Sequence, residues 1–319
     1  MPEADGGVLV IGEAVMDLVS TRRGVTRSPG GSPANVALGL GRLGVPTRLR
    51  TALAADNDGL AIRRRLEASG VLVEPASESL LRTPTALAVV DPTGAARYEF
   101  DLDWRLSEPI AFGTARVVHT GSIAVFLEPG ASDVEAALAA RPAGVLVSID
   151  PNIRPAIIGD RDAARAAFER FLPMADIVKL SDEDAAWLYR GEPVESVLGR
   201  LLDAGVALAA VTLGGAGAVL ATRMHVARVA ALPVDVRDTV GAGDSFMAAL
   251  LAELHRVPGP IYELGVEDLE RLGSSAAAAA AVTVGRVGAD LPVAADIARA
   301  RRRAAIERCM TGSMGTVVM

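Results

Sequence analysis

The sequence predicts an α/β protein: a three-layer sandwich with a mostly parallel central sheet, helices on both faces, and a small separate β-sheet. The main observation is that strand-like apolar runs alternate with helical runs along most of the chain. This alternation is typical of βαβ units, which build parallel sheets covered by helices. A second observation is a hairpin-like segment, residues 83–104, which interrupts the alternation and predicts the smaller sheet.

The first elements are a strand in VLVIGEAV (8–15) and a helix in SPANVALGLGRLG (32–44). Ser32 is a residue type that caps helices, Pro33 suits the first helical position, and Gly44 suits the end. The stretch GLGRLG within this helix matches the dinucleotide-binding pattern GxGxxG. That pattern acts only between a strand and a helix start, so helix packing and termination explain these glycines better than a nicotinamide cofactor.

Four further strand-like runs follow, each next to a helical run. The strands are RVVHTGS (116–122), GVLVSID (144–150), DIVKL (176–180) and ALAAVTLG (207–214), and the helices are DVEAALAA, RDAARAAFERFL, EDAAWLYR and VESVLGRLLDAG. Ligands of open α/β sheets bind beyond the carboxyl ends of the strands. The segments GS, DPN, KLSDE and TLGG therefore line the predicted site.

The whole of residues 1–309 is predicted to form one domain. Residues 13–30 and 83–104 are expected to form the small sheet as a lid over the site, and SSAAAAAAVTVGR (274–286) a close-packed helix. The last ten residues, 310–319, have neither helical period nor caps, so we expect an unstructured tail.

Composition excludes several classes of function. The chain has 319 residues, 50% of them hydrophobic, and a net charge of −7, which disfavours nucleic acid and anionic membrane surfaces as partners. Its one cysteine, Cys309, permits no intrachain disulfide, and the start MPEADGG is unlike a signal peptide. No apolar run has membrane-spanning length, so a cytoplasmic protein is expected.

The only lysine, Lys179, lies in DIVKLSDED, where no P-loop pattern is present. The protein-kinase motifs and the HEXXH and CxxC metal signatures are also missing. Any phosphate that this protein binds is therefore expected to be held by backbone amides, a metal ion and arginines.

The segment DTVGAGDSF (238–246) is the strongest candidate for such a site. The amides of Gly241, Ala242 and Gly243 can point into one cavity at the N-terminus of the helix that starts near Gly243 or Asp244. Asp244 is then placed as a base that takes a proton from an incoming hydroxyl. The alternative is that Asp244 is an ordinary helix cap.

DTVGAGDSF and GGSPANVALGLGRLG (30–44) resemble the two signatures of the ribokinase-like, or PfkB, family of carbohydrate kinases. The resemblance extends from Val8 to about Ile306 and implies the ribokinase-like fold. It implies that Gly241, Ala242 and Gly243 form an anion hole and that Asp244 is the catalytic base. It also implies that Asp17, Gly31 and Asn35 bind sugar hydroxyls; the alternative for Asn35 is capping of the first turn.

The same resemblance implies roles at the strand ends. Thr212 and Gly214 correspond to contacts with the nucleotide phosphates. In KLSDED, where many members carry Asn and Glu, Ser181 is a shorter nucleotide contact and Asp184 orders the water ligands of Mg²⁺. Lys179 either neutralises phosphate or is a surface residue.

Further implied residues lie around the substrate and a second cation. Asp150, Asn152 and Arg154, in DPNIRP, follow a strand at the same carboxyl edge of the sheet and have a role near substrate or phosphate. Asp238 corresponds to a ligand of a monovalent-cation (K⁺) site formed with backbone around Arg286 and Gly288, although Pro292 stands where some members offer a hydroxyl.

The expected activity is transfer of the γ-phosphoryl group of Mg²⁺·ATP to a sugar hydroxymethyl group. GEAVMDLV, GSIAVFLEP, SIDPNIRP and GRVGADLP resemble fructokinases most closely, which makes fructose the expected sugar. The alternatives are 2-keto-3-deoxygluconate kinase, with Arg97 or Arg154 holding the substrate carboxylate, and ribokinase. A non-catalytic sugar or nucleotide binder on this fold is the rival from another class. A homodimer formed through the lid is also expected.

Overall fold

The structure is a computed structural model that describes residues 6–21, 24–90, 96–257 and 259–312. Its strands, numbered along the chain, are β1 Val8–Ile11, β2 Val15–Thr21, β3 Gly24–Gly30, β4 Thr47–Arg50, β5 Val71–Val73, β6 Thr85–Val90, β7 Ala96–Asp101, β8 Val117–Gly121, β9 Leu146–Asp150, β10 Ile177–Ser181, β11 Leu208–Thr212, β12 Ala218–Ala221 and β13 Val226–Val229. Its helices are α1 Ser32–Arg42, α2 Asn57–Glu67, α3 Gly130–Ala139, α4 Pro155–Ile158, α5 Arg161–Phe171, α6 Asp182–Leu188, α7 Val194–Asp203, α8 Ala242–Arg256, α9 Val266–Val284 and α10 Ala294–Gly312.

The main sheet has the strand order β13-β12-β11-β10-β9-β8-β1-β4-β5 within the described residues. Strands β8 to β11, β1, β4 and β5 run parallel, and only β12 and β13 are antiparallel to their neighbours. The buried strand sequences, such as VLVI in β1 and LAAV in β11, are continuous apolar runs, as expected for strands covered on both faces.

Two apolar cores lie on opposite faces of this sheet. One contains buried side chains of α1, α8 and α9, and the other contains buried side chains of α3, α5, α6 and α7. Alternate residues of each strand divide between them: Val8 and Val10 belong to the first core, and Leu9 and Ile11 to the second. The predicted fold class, a three-layer sandwich around a mostly parallel sheet, is confirmed.

A second sheet has the order β3-β2-β6-β7. Strands β2 and β6 pair in parallel, while β2–β3 and β6–β7 are antiparallel hairpins. Both hairpins lie within the ranges 13–30 and 83–104 that the sequence predicts for the small sheet. Residues 22, 23 and 91–95 of those ranges lie outside the described part.

Helix α1 begins one position earlier than the sequence predicts. Its N-cap is Gly31, with a φ of 97°, and Ser32 is already helical and makes no capping hydrogen bond. The prediction that Ser32 caps this helix is therefore wrong. GLGRLG lies at the end of α1 rather than after a strand, and Gly44 beyond it has a φ of 77° that favours glycine.

Helices α8 and α10 also differ from expectation in their bounds. Helix α8 begins at Ala242, so Asp244 lies inside the first turn and is not the cap. Helix α10 extends to Gly312, so residues 310–312 are helical and the predicted tail is wrong there. The remainder of that tail, 313–319, lies outside the described residues. Among the described helices, none combines the length and apolar composition that a bilayer crossing requires.

Candidate active site

The carboxylate of Asp244 lies at the meeting point of α1 and α8. Its Oδ1 accepts a hydrogen bond of 2.7 Å from the Ser32 hydroxyl, and its Oδ2 accepts one of 2.8 Å from the Asn35 amide nitrogen. The helices can approach because Gly39 faces Ala248: a Cβ on Gly39 would lie 2.6 Å from the Ala248 Cβ. Segments 30–44 and 238–246 therefore converge on one side chain.

The surroundings of Asp244 make it a better proton acceptor than an exposed aspartate. Burial raises its pKa, and the hydrogen bonds from Ser32 and Asn35 lower it in part. Among its charged neighbours, Asp150 raises the pKa and Lys179 lowers it. A carboxylate with a raised pKa is nearer in proton affinity to the group from which it would take a proton.

The N-terminus of α8 carries the predicted anion hole. Gly241 has a φ of 78°, and a Cβ there would lie 2.9 Å from the Ala289 Cβ, so both conformation and space require glycine. The Ala242 amide donates to the Thr239 carbonyl oxygen at 3.2 Å, which engages one of the three predicted donors in a turn. The Gly243 amide has no acceptor among the described residues, and it lies at the N-terminal, positive end of the α8 dipole.

Lys179 is a buried residue of β10 and pairs with Asp150 of β9. Its Nζ donates to Asp150 Oδ2 at 2.8 Å, and the two side chains are 3% and 1% exposed. The interpretation of Lys179 as a surface residue is therefore wrong. Burial lowers the pKa of Lys179, but the hydrogen bond to Asp150 and the charges of Asp150, Asp184 and Asp244 together raise it, which favours the charged ammonium group. A Cβ on Gly243 would lie 2.9 Å from this Nζ, which places the charge beside the start of α8.

Asp17, on β2, has its carboxylate over Gly30 of the neighbouring strand. A Cβ on Gly30 would lie 2.0 Å from Asp17 Oδ2, so only glycine leaves room for this carboxylate. Burial raises the pKa of Asp17 to about 6, opposed by Arg154 and reinforced by Asp244. Gly31, with a φ of 97°, would place a Cβ 2.6 Å from the Glu13 carbonyl oxygen. The predicted sugar ligands Asp17, Gly31 and Asn35 are thus grouped around Asp244.

Glu13 is a buried acid beside this cluster that the sequence motifs did not single out. It is 5% exposed, and its Oε2 has no hydrogen-bond partner among the described residues. Burial raises its pKa to about 8; the Ser122 hydroxyl lowers it, Asp244 raises it and Arg154 lowers it. The only sign of Glu13 in the sequence is that GEAVMD contains this second acid four residues before Asp17.

The loop after β9 links several of the predicted residues. Asn152 has a φ of 37° and its amide donates to Asp150 Oδ1 at 3.2 Å. Arg154 donates to the Ile153 carbonyl oxygen at 3.0 Å, and its charge acts on Asp17 and Glu13. The Arg154 charge therefore lies near Asp17 and Glu13.

Residues at the ends of β10 and β11 have structural contacts that the sequence did not reveal. Ser181 caps α6 by accepting from the Asp184 amide at 2.9 Å, and Asp184 accepts from the Ser181 amide at 3.0 Å and the Ile153 amide at 2.8 Å. Ser181 lies directly opposite Thr212 in the sheet, and Gly214, with a φ of 52°, follows in an exposed turn. These residues share the carboxyl edge of the sheet.

Two predicted residues lie apart from this cluster. Asp238 accepts from the Gly288 amide at 2.8 Å and from the Val240 amide at 3.0 Å, which joins the segment before α8 to the loop after α9. Arg97, on β7, has a 77% exposed side chain and pairs with Glu99. Among the described residues, no hydrogen bond connects Arg97 to another predicted site residue.

Comparison with known proteins identifies the family of the chain. Residues 6–296 match the model of the pfkB family of carbohydrate kinases. The chain is 35% identical over 272 residues to a fructokinase of Klebsiella pneumoniae, covering 82% of this chain and 89% of that protein.

Two solved structures are similar along almost the whole chain. A double mutant of fructokinase from Vibrio cholerae O395, with fructose, ADP and potassium ion bound, has a TM-score of 0.79 and 28% identity, covering 93% of this chain and 99% of that one. A sugar kinase from Pyrococcus horikoshii in complex with ATP has a TM-score of 0.68 and 26% identity, covering 88% and 93%.

The family match and the similarity to a known kinase make the protein a phosphotransferase. The chain belongs to the pfkB family of carbohydrate kinases, and the curated relative named above is a fructokinase.

Proposed function

We propose that the protein transfers the γ-phosphoryl group of ATP to a hydroxymethyl group of fructose, with Asp244 as the base. The observation that carries this proposal is the position of Asp244: a buried carboxylate with a raised pKa, beside the sugar-side residues and at the positive end of α8. The ATP-bound structure of the Pyrococcus sugar kinase supports ATP as the donor.

The reaction follows from the arrangement of groups around Asp244. The sugar oxygen forms a bond to the γ-phosphorus as the bond from that phosphorus to the bridging oxygen of ADP breaks. The hydroxyl proton passes to the Asp244 carboxylate as the new bond forms. The Gly241 and Gly243 amides and the Lys179 ammonium group stabilise the negative charge on the transferring phosphoryl oxygens.

The sugar is held by the cluster on the other side of Asp244. The Asp17 carboxylate accepts protons from sugar hydroxyls, and Gly31 allows the ring to approach the backbone closely. Asn35 has one amide hydrogen bonded to Asp244, which leaves its carbonyl oxygen and its second hydrogen for the sugar. Asn152 and Arg154 border the same space.

Mg²⁺ fits this site as an ion carried by the nucleotide. The described residues contain no group of three or more His, Cys, Asp and Glu side chains that could hold a metal, and Mg²⁺ commonly binds through phosphates, water and one or two carboxylates. Asp184 would hold its water ligands. When bound, the ion neutralises charge on the phosphate oxygens.

Two further parts of the proposal concern the nucleotide and a monovalent cation. Ser181, Thr212 and Gly214 border the nucleotide phosphates at the carboxyl edge of the sheet. Asp238 would help to hold K⁺ together with backbone around Gly288, which its carboxylate already contacts. The potassium ion in the Vibrio cholerae structure supports this assignment.

Fructose is proposed because the relatives and the residues agree. The Klebsiella relative is a fructokinase, and the Vibrio cholerae structure contains fructose and ADP. A cluster built around Asp17 and Asn35 suits neutral hydroxyls. The alternative, 2-keto-3-deoxygluconate, has a carboxylate that needs a cation, and of the two candidate arginines only Arg154 acts electrostatically on the cluster.

The test is an ADP-release assay with fructose, ribose, 2-keto-3-deoxygluconate, adenosine and fructose 6-phosphate. We expect fructose to have the highest kcat/KM. The Asp244→Asn variant is expected to bind ATP normally by calorimetry and to lose about 10²–10⁴-fold in kcat.

Three results would contradict parts of the proposal. Near-wild-type turnover by Asp244→Asn would exclude Asp244 as the base. Sugar or nucleotide binding without ADP release would indicate a non-catalytic binder. A preference for 2-keto-3-deoxygluconate that Arg154→Ala abolishes would replace fructose while keeping the kinase.

A further inference from the structure

Ser32 uses its hydroxyl in an unusual way for the first residue of a helix. It is 8% exposed, makes no capping hydrogen bond, and donates instead to Asp244 Oδ1 at 2.7 Å. Gly31 already occupies the N-cap position. A serine at a helix start ordinarily accepts a hydrogen bond from a backbone amide of its own helix. Here the hydroxyl instead donates a hydrogen bond to the carboxylate of Asp244, 212 residues further along the chain.

We propose that Ser32 is a positioning residue for Asp244: its hydroxyl fixes Oδ1 so that the carboxylate presents a free lone pair to the sugar hydroxyl. This inference rests on the proposed role of Asp244 as the base. Ser32 itself acts through Asp244 and touches none of the reacting atoms.

Two donors are needed to hold the carboxylate because its terminal torsion is soft. The χ2 angle of aspartate has broad wells, so a single hydrogen bond leaves the plane of the carboxylate free to rotate. Asn35 holds Oδ2 at 2.8 Å and Ser32 holds Oδ1 at 2.7 Å, one donor on each oxygen. A base must lie within about 2.6–3.2 Å of the proton that it abstracts, so rotation away from that position lowers the rate.

The Ser32 hydrogen bond also acts on the charge of Asp244. It is one of two hydrogen bonds that lower the pKa of a carboxyl whose pKa is raised by burial. The charged groups facing Asp244 from other elements are Asp150 on β9, Lys179 on β10, Asp17 on β2 and Glu13 in the β1–β2 turn. Ser32→Ala changes none of these charges, so any change in titration reports the lost hydrogen bond.

The variant Ser32→Ala is compared with Ser245→Ala as a matched control. Ser245 follows Asp244 in the chain, is 1% exposed, and its hydroxyl pairs with Thr283 at 2.5 Å. Both substitutions remove one buried hydroxyl hydrogen bond within the same region, but only Ser32→Ala removes a donor from Asp244. Ser32→Cys, with a weaker donor, replaces Ser32→Ala if the alanine variant does not fold.

We expect Ser32→Ala to lower kcat by about 10-fold, the lower end of the effect of losing a hydrogen bond to a charged group. The sugar KM should change by less than about 3-fold, because Ser32 makes no proposed contact with the sugar. The acid limb of the kcat profile should move up by about one pH unit. Ser245→Ala should leave that limb in place, and Ser32→Cys should lie between wild type and alanine.

A second readout does not depend on activity. The pKa of the Asp244 carboxyl is measured by NMR titration of ¹³C-labelled aspartate, assigned with Asp244→Asn, and is expected to rise in Ser32→Ala but not in Ser245→Ala. An unchanged Asp244 titration would overturn the proposal, as would equal kinetic effects of the two serine variants. If the pKa rises but no sugar is phosphorylated even by the wild type, the contact with Ser32 holds and the proposed function fails.

Discussion

Asp17, the proposed sugar ligand, has a charge that depends on pH near neutrality. Burial raises its pKa to about 6, and the Arg154 charge opposes that rise. Below this pH the carboxyl gains a proton and accepts fewer hydrogen bonds from sugar hydroxyls. We therefore expect the affinity for fructose, measured by calorimetry between pH 5 and pH 8, to fall as the pH drops below about 6.

The variant Asp17→Asn provides the comparison. An amide of the same shape does not titrate, so its affinity should be lower than that of wild type at pH 8 by about 10–100-fold and nearly independent of pH. An equal pH dependence in wild type and variant would place the sugar-binding charge elsewhere.

Glu13 should affect stability rather than binding. Burial raises its folded-state pKa to about 8 from an ordinary value of 4.5. Its contribution to stability is therefore fully present below pH 4.5 and is lost as the pH rises through about 8, because the folded state holds a proton that the unfolded state releases.

The neutral variant Glu13→Gln removes this dependence. We expect it to be more stable than wild type at pH 9 by up to roughly 5 kcal/mol and closest to wild type near pH 5, as measured by urea unfolding. A constant difference between wild type and variant across that range would show that Glu13 is ionised in the folded protein.

At the scale of elements, the site depends on how closely α1 approaches α8. A Cβ on Gly39 would lie 2.6 Å from the Ala248 Cβ and 2.7 Å from the Leu291 Cδ2. Both atoms belong to buried residues of the first core, so neither can move away without cost. The distance between the two helices sets the hydrogen bonds from Ser32 and Asn35 to Asp244.

Gly39→Ala should therefore reduce both stability and turnover. We expect a loss of about 1–3 kcal/mol in the free energy of unfolding, typical of overpacking, together with a lower kcat. Gly199→Ala in α7 is the matched control: a Cβ there meets no atom within 4 Å, so the change should stabilise by about 0.5–1 kcal/mol and leave kcat unchanged. A neutral or stabilising Gly39→Ala would contradict the close packing.

On the scale of the whole molecule, the small sheet has few contacts with the two cores. Strand β3 is mostly exposed, and only Met16 and Leu18 of β2 pack against the first core. Strand β7 lies at one end of the sheet, with Tyr98 59% exposed. An exposed edge strand of this kind is suited to pairing with another chain.

We expect the protein to be a homodimer formed through this sheet. Tyr98→Glu places a charge on the exposed strand and should shift the sedimentation-equilibrium mass towards that of a monomer at micromolar concentration. Tyr262→Glu is the control, because Tyr262 is 70% exposed and lies outside the small sheet. A monomeric wild type, or an equal effect of both variants, would exclude this interface.

The sequence by itself determined the class of fold and the two segments that form the centre of the site. Continuous apolar runs such as β1 and β11 predict buried parallel strands because burial on both faces leaves no polar alternation. The glycine-rich start of α8 predicts an anion site because backbone amides at a helix N-terminus point towards one ligand. Gly241 has the positive φ that favours glycine in such a turn. Short antiparallel strands such as β12 and β13 were not predicted, since four-residue apolar runs carry little periodic signal.

Only the tertiary structure decided which side chains contact one another across long separations in sequence. The Ser32 hydroxyl has the local pattern of a helix cap, yet it bonds to Asp244 because α1 packs against α8. Lys179 keeps its charge although it is buried, because Asp150, on the neighbouring strand, compensates for that burial. Contacts of this kind arise from the packing of elements distant in the chain, which local propensity and residue spacing do not encode.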